Sequence, residues 1–123
     1  MTKQEQLHGI LKKLKQALPE LRSIVIASTD GLPIAHNAAD APRVAAMAAT
    51  ALGLGKRIGQ TAELGSLQET IVRGDQGYFV IYAAGDKGVL AVSAPADANL
   101  GLIHLEARGC AGRLAQILEE VIE

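Results

Sequence analysis

The densest run of chemically suggestive residues in this 123-residue chain is Gly53-Leu54-Gly55-Lys56-Arg57. Glycines beside a lysine suggest a cradle for phosphate, but the spacing does not support one. A phosphate loop needs a glycine, four residues and then Gly-Lys-Ser/Thr, because backbone N–H groups wrap the phosphates and the hydroxyl meets a metal. Thr50 stands where the first glycine belongs, and Arg57 where the hydroxyl belongs. Gly53, Gly55 and Gly59 also miss the dinucleotide fingerprint by one residue. They fall late in a predicted helix, whereas an anion needs a helix start. Close packing against a neighbour explains these glycines better. They also weaken the helix, so this end can bend.

The other reactive side chains do not assemble into a site. His8, His36 and His104 have no metal-ligand spacing with one another or with Cys110. Cys110 falls on an apolar helical stripe and reads as buried filler rather than a nucleophile. Ser66 lacks a nucleophile elbow. Glu119 and Glu120 form a terminal solvated pair. Arg73-Gly74-Asp75 spells an adhesion tripeptide, but Gly and Asp are ordinary turn formers. An arginine can complete a phosphoryl-transfer site in trans. No motif selects among Arg43, Arg57 and Arg73 for that role, so all three read as rim contacts. No catalytic, cofactor-binding or metal-binding residue is assigned, and an enzyme acting alone is the least favoured reading.

Composition narrows the partners. At 49% hydrophobic, the chain is expected to form one domain with a real core. Tyr78, Phe79 and Tyr82 are its only aromatics. The core must therefore be Leu, Ile, Val and Ala, and platforms for stacking bases are nearly absent. The net charge is −1, and the only basic cluster is Lys12-Lys13 with Lys15. Nucleic acid is not an expected partner. No apolar run reaches the roughly 20 residues of a membrane span, so membrane insertion is not expected. Met1 to Gln6 is polar, unlike a signal core, and the expected location is cytoplasmic. A single cysteine permits no internal disulfide.

The elements that would position a surface follow from periodicity. A first helix is predicted over about Lys3 to Leu18, with Thr2 and Glu5 at capping-box spacing and Leu7, Leu11, Leu14 and Leu18 on one face. Leu21 to Ser28 reads as a strand, Thr29-Asp30-Gly31 as a turn, and Leu32 to His36 as a second strand. Pro33 places that strand at a sheet edge. A second helix is predicted over Val44 to Leu64, with Asp40 as cap and Pro42 in its first turn. Leu67 to Arg73, Tyr78 to Ala83 and Val89 to Ala94 read as three strands joined by glycine turns. A last helix, capped by Asp97, carries Leu100, Ile103, Ala107, Cys110, Leu114, Ile117 and Val121 at helical spacing. The fold class is α+β, in the order α-β-β-α-β-β-β-α, with a five-stranded antiparallel sheet between helices.

The second helix is apolar on more than one side. Val44, Met47, Ala51, Leu54, Ile58 and Ala62 form a stripe expected to pack on the core. The remaining faces carry Ala45, Ala46, Ala48, Ala49, Thr50, Leu52 and Gly53, and are expected to meet a second partner. The chain thus reads as a protein-binding module that self-associates.

Two segments, Ile24-Val25-Ile26-Ala27-Ser28-Thr29-Asp30-Gly31-Leu32-Pro33-Ile34-Ala35 and Tyr78-Phe79-Val80-Ile81-Tyr82-Ala83, resemble the roadblock/dynein light-chain domain family. So do the small-residue helix and the Ala98-Asn99-Leu100-Gly101-Leu102 run at the start of the last helix. The resemblance covers Leu7 to about Val121. It implies the same element order and a homodimer, in which third strands pair and second helices lie side by side. The resemblance further implies that bacterial members often partner small Ras-like GTPases, that the mutual gliding protein B type stimulates GTP hydrolysis, and that others scaffold GTPase or motor complexes. The family has no universal catalytic residue to transfer, and no cofactor is implied. The expected function is a homodimeric regulator or scaffold of a small Ras-like GTPase. The expected interface is Arg43, Ala45, Ala46, Ala49, Thr50, Leu52, Gly53, Lys56, Arg57, Thr70, Ile71, Val72 and Arg73. The alternative is a small-ligand sensor, for which only His36, Tyr78 and Tyr82 could supply polar contacts.

Overall fold

Thr2 opens the first helix as its spacing predicts. Its hydroxyl accepts from the Glu5 N–H at 3.1 Å, and the Glu5 carboxylate accepts from the Thr2 N–H at 2.8 Å. Two otherwise orphaned donors are thereby satisfied. In the computed structural model, which describes residues 1–120, helix α1 spans Lys3–Ala17. The strands and helices that follow are β1 Ser23–Ser28, β2 Pro33–His36, α2 Ala41–Thr61, β3 Thr70–Gly74, β4 Gly77–Ala84, β5 Gly88–Pro95 and α3 Leu100–Glu119. The order matches the sequence reading.

The five strands form one antiparallel sheet in the order β2-β1-β5-β4-β3. The Pro33 strand does lie at an edge, and β3 forms the other edge. Alternation along the inner strands splits the core into two layers. Ile24, Ile26, Val80, Tyr82, Leu90 and Val92 pack beneath α1 and α3. Val25, Ala27, Ile81, Val89 and Ala91 pack beneath α2. These strands are buried on both faces, which is why they read as continuous apolar runs.

The orientation of α2 departs from expectation. Its buried residues are Ala41, Ala45, Ala48, Leu52 and Gly59. Met47, Leu54 and Ile58 instead stand outward, 54%, 58% and 51% exposed. The expected core stripe is thus displaced by one residue, about 100° of helix rotation. Ala45 and Leu52, expected on the outward face, are 0% and 2% exposed and belong to the core. The cause is steric. The small side chains let α2 sit low on a sheet face built from Ala27, Ala91 and valines. At Gly55 an added Cβ would collide with the Thr70 hydroxyl and crowd Leu67. At the other end Gly31, with φ of +93°, brings the β1–β2 turn to within 3.3 Å of the Ala46 backbone, measured from where its own Cβ would sit. A side chain is disfavoured there on both counts.

The helix caps also differ. Asp40 makes no side-chain cap bond and pairs with Arg43 at 3.2 Å. Asn99, not Asp97, caps α3, accepting from the Leu102 N–H at 3.1 Å. The start of β3 is at Thr70 rather than Leu67. Along α3 the buried residues are Ile103, Ala107, Cys110, Ala111, Leu114 and Leu118. Val121 lies outside the described residues.

Candidate protein-interaction face

The outward stripe of α2 builds an apolar strip at the sheet margin. Three shallow hollows run along it. One, of about 250 Å³, lies between α2 and β3 and is lined by Met47, Ala51, Val72, Phe79 and Ile81. The second is lined by Ala46, Met47, Thr50, Ala51 and Leu54. The third, toward the helix end, is lined by Leu54, Arg57, Ile58, Thr61 and Ala62. Shared linings make them one continuous surface. Val72, exposed on β3, extends it to the sheet edge, where among the described residues the strand pairs with β4 alone. A patch of this kind beside an open ladder is what association with another protein uses.

The expected interface residues do not share one place. Ala46, Thr50 and Arg57 line the outer side of α2, where Thr50 donates its hydroxyl to the Ala46 carbonyl at 2.8 Å, while Gly53 and Lys56 are exposed on its flank. Ala49 is half-buried. Arg43 is exposed at the helix start. Thr70 and Val72 share the α2 side of β3, opposite Ile81 and Phe79. Ile71 and Arg73 point to the other side, and the Arg73 guanidinium lies 5.7 Å from the centroid of the Tyr78 ring. Ala45 and Leu52 are inside. The structure therefore gathers Ala46, Thr50 and Arg57 of α2 and half of the β3 residues on one face, and does not bring Arg43, Arg57 and Arg73 together. Met47, Leu54 and Ile58 were missed as surface residues because their size suggested a core stripe.

One polar cluster was also missed. The Tyr82 hydroxyl and His104 Nδ1 lie 2.8 Å apart, with the rings edge to face. His104 Nε2 is 4.0 Å from Glu69, and Arg108 donates to Glu69 at 2.6 Å. Burial pushes the Tyr82 pKa up, and the Glu69 charge adds to this against the opposing pull of Arg108. The phenol therefore stays protonated at all ordinary pH. The Arg108 pKa is raised chiefly by its hydrogen bond to Glu69. The four residues come from β4, α3 and the lead-in to β3. Only the His104–Arg108 spacing of one helical turn was visible in the sequence.

Cys110 is buried, and burial raises its thiol pKa against the nearby Arg113. It is inert filler on this geometry. Among the described residues no group of three or more His, Cys, Asp and Glu is placed to hold a metal, and no helix is long and apolar enough to cross a membrane. His36 is exposed at the β2 edge, where its Nδ1 accepts from the Ala38 N–H. Tyr82 directs its hydroxyl to His104. The polar groups a small-ligand sensor would need do not converge.

Comparison with known proteins gives consistent findings. The Roadblock/LC7 domain family model matches residues 8–94. An uncharacterized protein of Methanocaldococcus jannaschii, MJ0310, is 32% identical over 97 residues, covering 76% of this chain and 84% of its own length. Among solved structures, MglB with a tetrameric arrangement is similar at a TM-score of 0.88 and 19% identity, covering 99% of this chain and 94% of that one. The Roadblock/LC7 domain from Streptomyces avermitilis is similar at a TM-score of 0.82 and 25% identity, covering 90% of this chain and 96% of its own.

Proposed function

Because the chain belongs to the Roadblock/LC7 domain family, we propose that it is a homodimeric regulator or scaffold of a small Ras-like GTPase and works in the cytoplasm. The observation that carries this reading is the apolar strip of Met47, Leu54 and Ile58, continuous with the open edge of β3 at Val72. Two copies related by a two-fold axis would cover both features at once, helix beside helix and strand beside strand. The GTPase partner is what the family resemblance implies, and the likeness to MglB supports the shared fold.

The protein contributes position rather than chemistry in this account. Arg43 is engaged with Asp40, Arg57 lies far along α2, and Arg73 rests by Tyr78 on the other face of the sheet. No two of them share a site. Arg43→Ala, Arg57→Ala and Arg73→Ala are therefore expected to weaken GTPase binding modestly through lost rim contacts. Any stimulation of hydrolysis should fall only in step with occupancy. Binding and single-turnover GTP hydrolysis, measured on the same variants with a small Ras-like GTPase from the same organism, check this. One variant that binds normally yet loses stimulation by about 10³-fold would overturn the scaffold and identify an arginine finger.

A further inference from the structure

Residues 69 and 70 grip both layers of the molecule at the point where the chain enters its exposed edge. Thr70 turns toward α2, with its hydroxyl pressed against Gly55 and without a hydrogen-bond partner among the described residues. Glu69 turns the other way, toward α3. Its side chain is only 18% exposed, and its two oxygens face Arg108 at 2.6 Å and His104 at 4.0 Å. These two partners are one helical turn apart on an element anchored by the fully buried Ile103 and Ala107. His104 is in turn fixed by the hydroxyl of Tyr82 on β4, the strand beside this edge. Beyond this point Ile71 to Gly74 are exposed, and β4 is their one neighbouring strand. Little else orders the edge.

We propose that Glu69 is a strap that fastens edge strand β3 to α3, and that its closure on Arg108 and His104 sets how readily that edge pairs with a second copy of the chain. The pairing half of this rests on the homodimer reading above. A carboxylate held between two nitrogen groups on one rigid helix limits the excursions of the strand that follows it. Opening it costs little elsewhere, because Arg108 is half exposed and returns to water, and because the Tyr82–His104 bond survives. The strap can therefore open without unfolding the sheet, which places β3 at the low-stability end of the molecule. Edge order and association then become one linked equilibrium: a fraying strand must be ordered before it can pair.

The test is hydrogen exchange of the Thr70–Gly74 amides in the full-length chain, read at a dilution where it is monomeric, with the dimer constant measured alongside by sedimentation over the concentrations where monomer and dimer coexist. Glu69→Gln should speed exchange in β3 about fivefold, the size expected for a partly exposed ion pair. Exchange in β1 and β5 should not change, and association should weaken by a similar factor. The charge-swapped pair Glu69→Arg with Arg108→Glu should recover both. Unchanged β3 exchange in Glu69→Gln overturns the strap. Faster exchange with unaltered association overturns its control of pairing. A native chain that stays monomeric at every concentration overturns the homodimer and the pairing with it; that failure is distinct from failure of the strap, because the exchange arm is read on the monomer.

Discussion

Ala45→Asp and Ala46→Asp, one residue apart on α2, are expected to behave as opposites. Ala45 is fully buried against Val25, Ile81 and Val89. A carboxylate placed there has no cation or donor to meet it, and burying it costs several kcal/mol. That is a large part of the roughly 5–15 kcal/mol that holds a domain of this size together. The Ala45→Asp protein should be largely unfolded, or should melt far below the parent. Ala46 is exposed on the adjoining face. Ala46→Asp should cost only about 0.5–1 kcal/mol, mostly in helix propensity, and the fold should persist. It should instead weaken association, because it sets a charge into the apolar strip. Urea unfolding followed by circular dichroism, with sedimentation on the same samples, separates the two effects. An Ala45→Asp protein as stable as the parent would contradict the observed face of the helix.

Leu54→Glu is expected to abolish self-association while leaving the fold of the monomer intact, the only stability lost being that supplied by association. Leu54 lies where two of the α2 hollows meet and is more than half exposed, so nothing in the folded chain depends on it. In a two-fold interface the substitution is made twice on the same surface, and two carboxylates face a desolvated apolar patch. A loss of about 100-fold or more in the dimerisation constant follows for a central contact of this kind. Arg57→Ala, at the rim of the same surface, should change it by less than about fivefold. If Leu54→Glu and Arg57→Ala weaken association equally, the strip is not the seam.

The fold was legible because its signals are local. Thr2 and Glu5 announce a helix start, Pro33 marks a sheet edge, and Asp30-Gly31 marks a turn. The face of α2 was not. Two apolar stripes run along it 100° apart, and residue size favours the wrong one. The larger residues Met47, Leu54 and Ile58 look like core, but the sheet surface beneath α2 is shaped for alanines. That shape is a property of strands distant in sequence, so no window along the helix contains it. Asn99 displaced Asp97 as a cap because cap geometry depends on where the chain leaves β5. Glu69 and Tyr82 were invisible for the same reason, since they meet His104 and Arg108 only through the fold. The surface residues Ala46, Thr50, Gly53 and Val72 were found because small or apolar side chains at exposed helical and edge positions already imply close approach.

In the proposed homodimer, a second copy of the chain covers the outer face of α2 and the edge of β3. Sedimentation equilibrium of the unmodified protein across the micromolar range tests it most directly. A single species at twice the 12.8 kDa chain mass is expected, converted by Leu54→Glu to a folded monomer whose unfolding midpoint falls only by the lost dimer linkage. A clean monomer throughout that range would contradict it.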